Sequence, residues 1–91
     1  MNLQFTRRAQ RDLSRLRAFI AKNNPAAARR RSQRLRAAIK HLLDHPDLGV
    51  DVPELEGVRD LKTVDGEYIV RYTRRDDAII VLQIWHTKED I

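Results

Sequence analysis

The sequence predicts an α+β domain in the order β-α-α-β-β-β, an antiparallel sheet packed against an αα-hairpin. Three observations carry this. Apolar residues recur at helical spacing along two stretches of the first half, and short apolar runs separated by polar or glycine-bearing turns fill the second. Between them, residues 46–57 gather Pro46, Gly49, Pro53 and Gly57 into a connecting loop. The expected organisation is a single domain: strand 1–6, helical hairpin 7–45, loop 46–57, three-stranded meander 58–86 and tail 87–91.

Each element has its own warrant. Leu3-Gln4-Phe5-Thr6 alternates apolar and polar residues, a strand signal, and Thr6 can cap the helix that follows with its hydroxyl. Ala9, Leu13, Leu16 and Ile20 then recur at steps of four, three and four. Asn23-Asn24-Pro25 ends this helix and starts the next, with Asn24 as N-cap and Pro25 as first helical residue. The second helix places Ala28, Ser32, Leu35, Ile39 and Leu42 on one stripe and is stopped by His45-Pro46, since a residue before proline leaves helical geometry.

In the second half, Val58–Val64 and Glu67–Arg74 flank Asp65-Gly66, a two-residue turn whose positive φ suits glycine. Arg74–Asp77 then turns the chain into Ala78–His86, whose nearly continuous apolar run predicts a central strand covered on both faces.

Charge divides the chain at the same place as secondary structure. Residues 1–45 hold 12 basic and 2 acidic side chains, and residues 46–91 hold 6 and 11, within an overall net charge of +5. A half this basic attracts polyanions or an acidic partner and speeds their encounter. There is no cysteine, which excludes disulfides, thiolate metal sites and cysteine nucleophiles. No run of apolar residues approaches signal-peptide or membrane-span length, so a soluble, cytoplasmic protein with no membrane role is expected.

The order of elements, with Gly57-Val58-Arg59-Asp60-Leu61, Tyr68-Ile69-Val70-Arg71-Tyr72 and Ile84-Trp85-His86, resembles the RelE/ParE toxin superfamily, in particular its ParE branch. The resemblance spans almost the whole chain. It implies a growth-arresting or plasmid-stabilising toxin neutralised by a cognate antitoxin, itself a DNA-binding, ribbon-helix-helix dimer with an acidic segment that folds over the toxin. It also implies one of two activities. ParE-like members bind DNA gyrase without cutting nucleic acid; RelE-like members cut mRNA on the ribosome.

Cleavage of RNA through its 2′-hydroxyl needs a base, an acid and cations for the charge that builds on phosphorus. In the RNA-cutting branch an arginine three residues before a strand tyrosine supplies part of that charge. Here Ile69 stands three before Tyr72, and the residues after His86 hold Lys88 but no tyrosine. The gyrase-binding reading is therefore preferred. The ribonuclease alternative would use Arg59, Arg71 and His86. Arg71 also has a plain structural reading, pairing with Asp60 or Glu67, and His86 has another, a strand-ending histidine bonded to backbone. Trp85 is either an exposed anchor of the sort enriched in binding hot spots or core packing under the helices.

The expected surface for target or antitoxin comprises Arg29, Arg30, Arg34, Arg36, Lys62, Trp85, His86 and Lys88. A third function class, a basic nucleic-acid-binding domain, has the arginines of the second helix in its favour but no aromatic interleaving among them and no helix-turn-helix. His41 and His45 share a helix side but lack third and fourth ligands, so no metal and no cofactor is expected.

Overall fold

The computed structural model describes residues 1–21 and 24–89, with the side chains of Ile20 and Ala21 outside the description. The elements are β1 (Asn2–Phe5), α1 (Arg7–Ala21), α2 (Pro25–His41), β2 (Val50–Asp51), β3 (Val58–Lys62), β4 (Tyr68–Arg75) and β5 (Ala78–His86). The α+β class and the order of the six principal elements agree with expectation. Two features differ. The sheet is mixed, because β1 runs parallel to β5 in the order β1-β5-β4-β3-β2. The loop 46–57 contains the short strand β2, antiparallel to β3.

The caps form where the side-chain chemistry places them. Thr6 Oγ1 accepts from the Ala9 N–H at 3.0 Å. Asn24 Oδ1 accepts from the Ala26 and Ala27 N–H groups at 3.0 and 3.2 Å, ahead of Pro25. The end of α1 at Asn23 and the stripe position of Ile20 lie outside the described residues. α2 stops at His41, short of His45-Pro46, because the Leu42, Leu43 and Asp44 N–H groups bond three residues back rather than four.

One face of the sheet meets the helices. Ala9, Leu16, Leu35, Ile39 and Leu42 pack with Leu61, Tyr68, Val70, Tyr72, Ile79, Val81 and Ile84 in one apolar core, with Leu13 and Ala28 partly buried against it. The other face carries Asp60, Lys62, Ile69, Arg71, Thr73, Gln83 and Trp85 by strand alternation, and none of these is fully buried. The double cover expected for Ala78–His86 is thus corrected: β5 lies between β1 and β4, but the helices cover it on one side. Its continuous apolar run hides a bulge. Arg71 pairs with Gln83 and Tyr72 with Val81, leaving Leu82 as the extra residue.

The β3–β4 turn is longer than the expected two residues. The strands end at Lys62 and Tyr68, and Asp65 Oδ1 holds the turn by accepting from Thr63 Oγ1 at 2.6 Å and the Glu67 N–H at 3.0 Å. Burial pushes the Asp65 carboxyl up, but these two bonds and the nearby Arg34 outweigh it and leave it below its ordinary value. Gly66 supplies the positive φ, +74°.

Candidate functional site

The three residues a ribonuclease would need are spread across the sheet. Arg71 projects from the uncovered face of β4. Its Nε and Nη2 donate to Asp60 Oδ1 and Oδ2 at 2.8 and 2.9 Å, and its guanidinium carbon lies 5.1 Å from the centre of the Trp85 ring. The bond to Asp60 raises the Arg71 pKa further above its ordinary value, although burial opposes it. Of the two partners left open by the sequence, Asp60 is the one used, because it stands directly across the β3–β4 ladder from Arg71.

Arg59 faces the opposite side, next to Tyr72. Its Nη1 donates to the carbonyls of Gly49 at 2.7 Å and Asp47 at 3.3 Å, and its Nη2 lies 3.6 Å from Asp51 Oδ1. Tyr72 holds the same segment, donating to the Pro46 carbonyl at 2.7 Å and accepting from the Gly49 N–H at 2.9 Å. Glycine is required at 49 because an added Cβ would stand 2.8 Å from the Tyr72 ring and hydroxyl. Together Arg59 and Tyr72 latch residues 46–49 inward.

His86 is on the helix side as well, paired across the ladder with Tyr68. It is buried, edge-on to Tyr68 at 5.2 Å and near Phe19 at 5.9 Å. Its Nδ1 accepts from the Lys88 N–H at 3.0 Å, which puts the ring proton on Nε2. This is the backbone-bonded strand end read from the sequence. The four residue steps from Tyr68 to Tyr72 separate His86 from Arg59 by roughly 13 Å along the strand direction. Burial raises the Tyr68 pKa above the usual phenol value, with Glu67 adding to it and Arg31 opposing. Tyr68 Oη and Glu67 Oε2 are buried without a hydrogen-bond partner among the described residues, the latter 3.6 Å from Arg31 Nε.

The expected binding surface also divides. Trp85 is half-buried on the uncovered face, where it stacks with Arg71 rather than lying under the helices. His86, being buried, offers little surface. Arg29, Arg30, Arg34 and Arg36 are exposed on α2, and Lys62 and Lys88 are exposed on the sheet side. Arg34 and Lys62 are brought together. They line a groove of about 520 Å³ between α2 and the end of β3, floored by Ala37, Ala38 and Leu61 and flanked by the exposed Leu48 and Val64. Sequence reasoning missed this groove. Its alanines read as helix filler and Leu48 as loop, and only the fold makes them neighbours. His41 and His45 stack at 4.5 Å, and no group of three or more metal-ligating side chains occurs among the described residues.

A second missed cluster joins α1 to β5. Asp12 is buried, with Oδ1 accepting from Arg15 Nη1 at 2.6 Å and Oδ2 from the Ile84 N–H at 3.0 Å. Arg15 also binds Glu89 and the Ile84 carbonyl. Burial works against the Arg15 charge, yet Glu89 and Asp12 prevail and raise its pKa above the ordinary value. Among the described residues no helix is long and apolar enough to cross a membrane.

A family described as the ParE toxin of the type II toxin–antitoxin system parDE matches residues 3–91. Toxin RelE1 of Caulobacter vibrioides is 30% identical over 82 residues, covering 90% of this chain and 88% of the relative. Toxin RelE3 of the same organism is 31% identical over 84 residues, covering 90% and 89%. Among solved structures, one titled as the chromosomal ParDE system from P. aeruginosa superposes with a TM-score of 0.82 over 97% of both chains, at 24% identity, and so shares the fold. The chain belongs to the ParE toxin family of type II toxin–antitoxin systems, and a cognate antitoxin is therefore its partner.

Proposed function

We propose that this toxin acts by binding DNA gyrase and stalling it, not by cutting RNA. One observation supports the reading above others: Arg59, Arg71 and His86 do not converge. Arg71 is neutralised by Asp60 and stacked on Trp85 on one face, while Arg59 and His86 are engaged on the other, at separate positions. A phosphoryl-transfer centre needs free cations and a proton carrier within reach of one phosphate. A docking surface needs none of these, and a half-exposed tryptophan beside a stacked arginine is the composition of a protein-binding hot spot.

The test adds purified toxin to gyrase and supercoiled DNA, and separately to ribosomes translating a defined mRNA. The expected result is loss of supercoiling with accumulation of cleaved DNA, and intact message. The RelE-named relatives supply the second reading, a ribosome-dependent ribonuclease. Codon-specific mRNA cleavage with unimpaired gyrase would establish it and overturn ours.

A further inference from the structure

We infer that the toxin holds double-helical DNA by its phosphate backbone, on the outer face of the α1–α2 pair. The cationic face is read from the structure alone. The choice of DNA over duplex RNA rests on the gyrase reading, because gyrase is an enzyme seated on DNA.

Residues 7–41 hold twelve Lys and Arg against one acid, Asp12, and that acid is buried. Asp12 takes Arg8 and Arg15, and Glu67 takes Arg31. Arg7, Arg11, Arg17, Arg29, Arg36 and Lys40 are exposed and make no ion pair among the described residues. Helical spacing gathers them. Ala9, Leu16, Leu35 and Ile39 turn inward to the core. The outward stripe of α1 is therefore Arg7, Arg11, Ser14 and Ala18, and that of α2 is Arg29, Gln33, Arg36 and Lys40. Arg7, Gln10, Arg11 and Ser14 line one shallow depression, and Arg17 and Arg36 flank the seam between the helices.

Charge is all that this face offers. None of the large exposed apolar side chains lies on either stripe, and both helices spend their apolar faces on the core. A protein interface would lack its apolar anchors here, and a helix lying on a membrane would lack the face that inserts. Phe19, the one Phe, Tyr or Trp of the two helices, turns toward His86, so unpaired bases find no stacking platform. Spread arginines suit a regular polyanion instead. Each stripe covers eleven residue steps, roughly 16 Å of helix, over which a DNA duplex carries about ten charges. The lack of aromatic interleaving and of a helix-turn-helix counts against reading bases, not against gripping phosphates. Trp85 and Arg71 lie on the other side of the sheet, so enzyme and DNA would be held by opposite faces of the toxin.

The experiment titrates the full chain against a labelled DNA duplex of arbitrary sequence and reads anisotropy at several salt concentrations. Affinity should fall linearly with salt on logarithmic axes. Arg11→Gln/Arg36→Gln should flatten that slope by about 1.8 and weaken binding at low salt at least about ten-fold. Arg74→Gln/Arg75→Gln removes the same charge from the exposed end of β4 and should change affinity less than about three-fold. All four positions are exposed, and equal urea midpoints will show that folding is intact. With gyrase present, Arg11→Gln/Arg36→Gln should accumulate less cleaved DNA than wild type, and Arg74→Gln/Arg75→Gln should match wild type.

No salt-dependent duplex binding, or equal loss in the two paired variants, overturns the inference. So does full gyrase inhibition by a toxin that no longer holds duplex. Tighter binding of duplex RNA than of duplex DNA would give the face to RNA and equally overturn it. The same holds if Arg11→Gln/Arg36→Gln loses affinity for the cognate antitoxin, or for phosphatidylserine–phosphatidylcholine vesicles, but not for DNA. Duplex DNA held through this face by a toxin that leaves gyrase active would count against the proposed function alone.

Discussion

Two edges of the same sheet are treated in opposite ways. β5 outlasts its neighbour β1, and from Leu82 onward its outer backbone has no strand beside it. Side chains take the strand's place. Thr6 Oγ1 donates to the Leu82 carbonyl, Asp12 accepts from the Ile84 N–H, Arg15 donates to the Ile84 carbonyl, and Glu89 accepts from the His86 N–H. β3 also outlasts its neighbour β2, yet Lys62 receives no such cover and lies beside an apolar groove. An edge sealed by charge resists strand addition and an unsealed one does not, so the two ends of the sheet differ in how far their backbone is guarded.

The largest expected effect comes from breaking the seal. Asp12 is 1% exposed and ties two arginines and the Ile84 N–H together. Asp12→Ala leaves buried polar groups unpaired and should cost about 3 kcal/mol of stability, seen in urea unfolding followed by Trp85 fluorescence. Asp12→Asn keeps an acceptor and should cost less. An unshifted midpoint for Asp12→Ala would mean that the seal is ornamental.

Next in size is the latch that uncovers the other edge. Tyr72→Phe removes the donor to Pro46 and the acceptor for Gly49, and Gly49→Ala drives a methyl into the Tyr72 ring. Each should cost about 1–2 kcal/mol in the same assay. If residues 46–49 are then free to lie along β3, the Lys62 amide of the free variant should exchange more slowly than in wild type.

Alkali acts on the same latch. Burial raises the Tyr72 pKa first, although the Gly49 N–H and Arg59 lower it in part, and burial likewise raises that of Tyr68. Both hydroxyls thus hold their protons more tightly folded than unfolded. Their contribution is intact below the unfolded value near 10 and is lost as pH rises through the higher folded values. Midpoints measured from pH 8 to 11 should fall above pH 10, and less steeply in Tyr72→Phe.

The smallest effect belongs to the uncovered face. Arg71 and Asp60 are each a quarter exposed, so solvent screens the pair, and Arg71→Ala should cost less than about 1 kcal/mol. Its functional consequence separates the two activities. A docking toxin should keep measurable gyrase binding in Arg71→Ala, whereas a ribonuclease that draws on this arginine should lose cleavage by orders of magnitude.

Much of the fold was legible because its signals are local. Thr6 and Asn24-Pro25 mark helix starts by capping chemistry, the stripes Ala9–Leu16 and Leu35–Leu42 mark buried faces by spacing, and Gly66 marks a turn by its φ. Of the candidate site, the ion pair of Arg71 and the backbone bond of His86 were open to chemical reasoning, because each group has few partners that satisfy it. The turn around Asp65 and the early end of α2 were not, since hydrogen bonds a few residues long decided them against equally plausible local alternatives.

By itself, then, the sequence determined the order of the six principal helices and strands, how charge divides between them and which family they compose, all properties of residues near one another in the chain. Tertiary structure alone decided that β1 runs parallel to β5, that a bulge at Leu82 falls beside Arg71, that Trp85 meets Arg71 and not the helices, and that Lys62 and Ala37 border one groove. The reason is physical. Strand order and register are settled by ladders between residues tens of positions apart, and one bulged residue exchanges the faces of everything beyond it, which no periodicity within a single segment records.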